Sequence, residues 1–62
     1  MSIAIIHAKE KKMELVEEYG DPYGFGYMKG NGEVTCISRK QFNSIVEQAY
    51  CKGFMVFDYR DF

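Results

Sequence analysis

The sequence predicts a small α+β domain: an antiparallel sheet packed by one well-defined helix. Three observations predict it. A capped amphipathic stretch covers residues 39–52, an Asn31-Gly32 pair separates two short apolar segments, and apolar runs with strand character lie near both ends of the chain. At 62 residues the chain has room for a single domain, residues 1–62. A domain of that size buries only about 60% of the surface its unfolded chain exposes, so its core is thin.

The helix is the best-specified element. In "ISRKQFNSIVEQAYCKG" Ser38 and Gln41 form a capping box, each able to satisfy a backbone N–H at the helix start. Ile37 and Phe42 occupy the hydrophobic-staple positions on either side of the cap. Phe42, Ile45, Val46, Ala49 and Tyr50 recur at the spacing of one apolar stripe. Lys52 suits the negative end of the helix dipole, and Gly53 can take the left-handed conformation that ends a helix. In "FMVFDYRDF", Met55, Phe57 and Tyr59 alternate with Val56, Asp58 and Arg60, the pattern of a half-buried strand. Phe54 and Val56 supply part of a second apolar row, more than one buried face requires.

Asn31-Gly32 is the strongest two-residue hairpin signal, because both central residues of a type I′ turn need positive φ. That turn would set Lys29 opposite Val34, Tyr27 opposite Cys36 and Phe25 opposite Ser38. Phe25, Tyr27, Val34 and Cys36 would then share a face, with Met28, Thr35 and Ile37 on the reverse. "SIAIIHA" reads as a strand from its density of isoleucine. Residues of about 10–19, "EKKMELVEEY", have two readings. As a second short helix they collect Met13, Leu15, Val16 and Tyr19 in a loose apolar arc and give the ferredoxin-like order β-α-β-β-α-β. As a strand they place Met13, Leu15 and Tyr19 on one side and give a β-rich meander closed by one helix and a last strand. The glutamates there disfavour a strand. Asp21-Pro22, flanked by Gly20 and Gly24, has the chemistry of a loop.

Composition narrows the function classes. Eight Lys+Arg against nine Asp+Glu give a net charge of −1, without the basic excess that phosphate neutralisation demands of a general nucleic-acid binder. Glu14, Glu17, Glu18 and Asp21 read as a solvated face. Within "YGFGYMKGNG", Gly24 to Met28 agrees with the centre of the RNA-recognition consensus, while Tyr23 stands where that consensus has a cation and Gly30 where it has an aromatic. For about fifteen residues the segment also resembles the "GFGF" strand of cold-shock domains, a resemblance that ends at Val34-Thr35-Cys36-Ile37 and the helix that follows. It implies single-stranded nucleic-acid binding through Phe25, Tyr27 and Lys29. Stacking needs those rings open and cations nearby, whereas their expected neighbours are Val34 and Cys36 and the next cations are Arg39 and Lys40. The favoured reading of the segment is a hairpin whose aromatics fill the core.

Nothing points to an active site. His7 lies in or beside an apolar strand, no hydroxyl or thiol has a base placed by motif, and no glycine-rich loop precedes a helix. Cys36 and Cys51 are expected to be buried, unbridged thiols, and with His7 far off they form no zinc pattern, so neither metal nor cofactor is expected. The leading apolar run is too short for a signal peptide or membrane span, which points to the cytoplasm. Five Tyr and five Phe exceed what so small a core can hold, so some are expected to meet a partner. The reading is a non-enzymatic protein-interaction module, an inhibitor or regulator like those of phage and mobile elements in size and charge, or a homodimer. Its contact surface is expected on the C-terminal strand: Phe54, Tyr59, Arg60, Asp61 and Phe62. The alternative is nucleic-acid binding through Phe25, Tyr27 and Lys29.

Overall fold

The structure, a computed structural model, describes residues 1–18, 20–21, 23–30 and 32–60. In chain order the described residues form β1 (Ser2–His7), β2 (Lys12–Glu17), β3 (Phe25–Met28), β4 (Val34–Ile37), α1 (Arg39–Cys51) and β5 (Met55–Asp58). The strands make one sheet in the order β4-β3-β1-β2-β5. β1 pairs antiparallel with β2 and β3 with β4, while β1–β3 and β2–β5 are parallel. The domain is α+β as predicted, but its sheet is mixed rather than antiparallel. The ferredoxin-like alternative fails, because the segment that order needs as a helix is β2. Among the described residues no helix is long and apolar enough to cross a membrane.

Cross-strand partners overcome the poor strand propensity of β2. The Glu14 carboxylate lies 2.7 Å from Nε2 of His7, and Glu17 accepts a hydrogen bond from the Ser2 hydroxyl at 2.7 Å. Met13 and Leu15 flank Glu14 on the opposite face and are buried, with Glu17 at the end of their own row. Each glutamate in the strand is thus matched to a polar partner on β1, which is the unit of stabilisation in a sheet. A helix would have broken that register and lost both buried residues. Tyr19 lies outside the described residues.

The helix forms as its caps dictate. The Gln41 N–H donates to Oγ of Ser38 at 3.1 Å, and the Ser38 N–H donates to the Gln41 side-chain oxygen at 3.0 Å. At the other end the Phe54 N–H reaches the Ala49 carbonyl at 2.9 Å and the Gly53 N–H reaches Tyr50 at 3.1 Å, with Gly53 at φ +81°. These two bonds are a Schellman motif. Phe42 and Ala49 are buried, with Ile45 and Val46 beside them. Tyr50 leaves the predicted stripe and is 63% exposed. It sits about 80° around the helix from Phe42, while Ala49 sits only about 20° away.

The helix carries the chain from β4 at one edge to β5 at the other. Its 13 residues span about 20 Å at about 1.5 Å each, close to the about 19 Å of four inter-strand spacings. One helix therefore covers one face. Ala4, Met13, Leu15, Phe42 and Ala49 form the core there, joined by partly buried Ile6, Phe25, Tyr27, Ile37, Phe54 and Val56.

The hairpin register differs from expectation by one residue. The pairs are Met28–Val34, Tyr27–Thr35, Gly26–Cys36 and Phe25–Ile37. The turn bond runs from the Gly32 N–H to the Lys29 carbonyl at 3.4 Å, with Gly32 at φ +82°, so the connection is one residue longer than a two-residue turn. Asn31, on which the two-residue reading rested, lies outside the described residues. A one-residue slip exchanges the faces of one strand relative to the other. Phe25 and Tyr27 consequently share the helix side with Thr35 and Ile37, and Cys36 turns away. Cys36 and Cys51 are both unbridged and exposed, which corrects the expectation that they are buried. Cys51 lies about 180° around the helix from Phe42.

On the helix-free face Ile3, only 1% exposed, stands between Val16 of β2 and Gly26 of β3. A Cβ at Gly26 would meet Val34 Cγ1 at 2.9 Å, the Thr35 carbonyl at 3.1 Å and Met1 Cε at 3.2 Å. Gly26→Ala is therefore expected to lower stability by about 1–3 kcal/mol through overpacking. Phe42→Ala should cost about 3–5 kcal/mol through a cavity in the one core. Urea midpoints measure both, and an unchanged midpoint for Phe42→Ala would mean that the helix face is wrongly assigned.

Candidate functional site

β5 is an edge strand whose two side-chain rows have different fates. Its register against β2 pairs Lys12 with Met55, Met13 with Val56, Glu14 with Phe57 and Leu15 with Asp58. The ladder is closed by hydrogen bonds from the Met55 N–H to Lys11 at 2.9 Å and from the Tyr59 N–H to Leu15 at 2.8 Å. Residues 55, 57 and 59 thus turn their backbone groups toward β2, and by strand alternation Val56 and Asp58 turn theirs outward. Phe54 and Val56 pack against the core. Met55, Phe57 and Tyr59 lie on the helix-free face and are 63%, 36% and 62% exposed. The Phe57 and Tyr59 rings stack, 6.3 Å apart and 9° from parallel.

The sequence showed two apolar rows on this strand, and the structure reverses the roles expected of them. Phe54 is committed to the core, whereas Met55 and Phe57 join Tyr59 on the open row. The signal that could have revealed this was the helix cap. In a Schellman motif the residue after the glycine packs back onto the last turn. Once Phe54 does so, alternation sends Met55, Phe57 and Tyr59 to the opposite face.

Arg60 also has an inward task instead of a place at an exposed rim. Its guanidinium makes two hydrogen bonds with the Asp58 carboxylate, from Nε at 3.0 Å and from Nη2 at 2.9 Å. It lies 5.5 Å from the centre of the Phe42 ring, and Phe42 packs against Phe25 at 5.1 Å. Arg39 lies over the Phe25 ring, 5.5 Å from its centre. The Arg60 partner holds the Asp58 carboxyl below its ordinary value, and Asp58 in turn raises Arg60. Asp61 and Phe62 lie outside the described residues.

Phe25 and Tyr27 face the helix and pack against the core, with Lys29 exposed just beyond β3. The two rings are not an open stacking surface. His7 sits between Glu14 at 2.7 Å and Glu10 at 3.6 Å, on the face it shares with Phe57. Among the described residues no group of three or more His, Cys, Asp or Glu could hold a metal ion. An open cleft of about 500 Å3 runs beside the helix, lined by Ile6, Met13, Tyr27, Ile45 and Phe54, with Lys29 and Lys52 also on its wall. No family model, curated protein or solved structure matches this chain.

Asp58 gives the site a pH dependence of known sign. Its folded-state pKa is depressed, so its stabilisation is present above the ordinary value of 3.8 and is lost as pH falls through the lower folded value. Glu17, held low by the Met1 amine and the Ser2 hydroxyl, acts in the same direction. Asp58→Asn should lower the urea midpoint at neutral pH and flatten its decline below pH 3.8. An unaltered acid decline would show that the Asp58–Arg60 pair contributes nothing.

Proposed function

We propose that this chain is a non-enzymatic, cytoplasmic protein-interaction module, an inhibitor or regulator that acts by covering a surface of a larger protein. The β5 edge makes the contact. One observation carries the reading: Met55, Phe57 and Tyr59 form an exposed row beside outward-facing backbone groups of an edge strand. An edge of this kind can take up another chain's strand, with main-chain hydrogen bonds supplying affinity and alternate side chains supplying specificity. Methionine, tyrosine and phenylalanine are the residue types enriched at the centres of such contacts. Small phage and mobile-element inhibitors share this size and charge, which supports the class and names no target. Nucleic-acid binding through Phe25, Tyr27 and Lys29 loses support, because both rings pack against the core.

Phe57→Ser with Tyr59→Ser tests the proposal, since both residues are exposed and away from the core. The double variant should stay folded at a cost of about 1–2 kcal/mol, most of it from Phe57, which is only 36% exposed, and should lose the partner that the wild-type chain captures from native lysate. A folded double variant that captures the same partner with equal yield places the contact elsewhere.

A further inference from the structure

We infer that a second copy of this chain occupies the β5 edge, antiparallel and two-fold symmetric, with Phe57 opposite its counterpart. The inference rests on reading β5 as the contact strand, and it names the first occupant of that strand. Pairing would use the outward main-chain groups of both edges, so the larger target would meet the side chains alone, two Met55–Phe57–Tyr59 rows in one continuous apolar strip.

Charge sets the direction. At the start of β5 lie Lys52 and, on the neighbouring strand and its turn, Lys11 and Lys12. At its finish Asp58 is balanced by Arg60 and Glu17 by the Met1 amine, and Glu18, just beyond β2, leaves that end without a cationic excess. Antiparallel pairing keeps the two lysine-rich starts apart, each beside the other copy's finish. Parallel pairing would set like against like.

Hydrogen bonding sets the register. Only residues whose backbone groups turn outward can bond a new strand, and on β5 these are Val56 and Asp58. With Phe57 on the two-fold axis, Val56 faces the partner's Asp58 and Asp58 faces the partner's Val56. Each facing pair exchanges two hydrogen bonds. A register centred on Asp58 would oppose two carboxylates. One centred on Tyr59 needs the Arg60 N–H, which already donates to Asp58 at 3.0 Å. Registers centred on Met55 or Val56 need the Phe54 N–H, which is used in the helix cap. Phe57 remains.

Disulfide trapping reads this register directly. In a Cys36→Ser, Cys51→Ser background, the Phe57→Cys thiols would face each other at a non-hydrogen-bonded position, with Cα atoms about 4.5 Å apart and within disulfide reach. Met55 faces the partner's Tyr59, while two copies of Met55 lie about 14 Å apart, beyond reach. Phe57→Cys should therefore give a linked dimer on oxidation. Met55→Cys and Tyr59→Cys should each stay unlinked alone and link when mixed, which keeps the test open if Phe57→Cys folds poorly. Light scattering of the wild-type chain up to millimolar concentration should show the dimer. Monomer mass throughout, or equal linking of all three single variants, overturns the inference. A monomer that still captures its partner through Phe57 and Tyr59 overturns the dimer alone. If the chain is a dimer and the double variant Phe57→Ser with Tyr59→Ser still captures the partner, the proposed function is overturned and the dimer stands.

Discussion

Phe42 is the joint on which this domain depends. It is the buried aromatic of the single helix, and it meets Phe25 of the sheet on one side and the Arg60 guanidinium on another. It also holds the staple position opposite Ile37 across the capping box, and both side chains belong to the same core, so helix initiation and core formation share residues. A larger domain could distribute this task over several helices. Here one helix must fix the sheet, connect its two edges and close its core, and Arg60 returns from beyond β5 to reinforce the same ring.

A single helix leaves the second sheet face to other devices, and they differ from strand to strand. At the centre, Ile3 is closed in beside Gly26, over which the Met1 and Val34 methyl groups lie, so small and flexible residues stand in for a second layer. Toward one end His7, Lys12, Glu10 and Glu14 form a charged cluster that water can solvate. At the β4 edge this face offers Cys36, which presents little apolar area. Among the described strands only β5 keeps large apolar side chains in the open, while exposed Tyr23 and Tyr50 belong to a loop and to the helix. Natural sheets usually blunt an edge with charge, bulges or cover, because an unpaired strand invites another. On β5 the charge is confined to the finish, at Asp58 and Arg60, and the rest of the row is left unprotected.

What could be read from the sequence was whatever neighbouring residues decide. Ser38, Gln41, Ile37, Phe42 and Gly53 specify the helix and both its ends within one contiguous stretch, and the structure follows them to within a residue. β2 was ambiguous because its decisive partners, Ser2 and His7, are supplied by another strand, while local propensity weighs Glu14 and Glu17 as if they were unpaired. The hairpin was recognisable but its register was not, since one extra turn residue changes which of Thr35 and Cys36 faces inward. The alternative site residues Phe25 and Tyr27 carried a motif-like pattern whose orientation depended on the packing of the helix. On β5 both apolar rows were visible, and only their assignment to faces was hidden.

That assignment links the local code to the surface. Gly53 in its left-handed conformation ends the helix and aims Phe54 back at Ala49. From Phe54 onward strand alternation leaves no freedom: Val56 must enter the core and Met55, Phe57 and Tyr59 must face away from it. The β2 ladder is consistent with this parity, because Met55 and Tyr59 donate to it while Val56 and Asp58 point outward. The helix stop therefore fixes three things at once, the apolar row on display, the backbone groups available to an incoming strand, and the register that strand can adopt. A surface that looks like a property of the last few residues is set by a turn that precedes them.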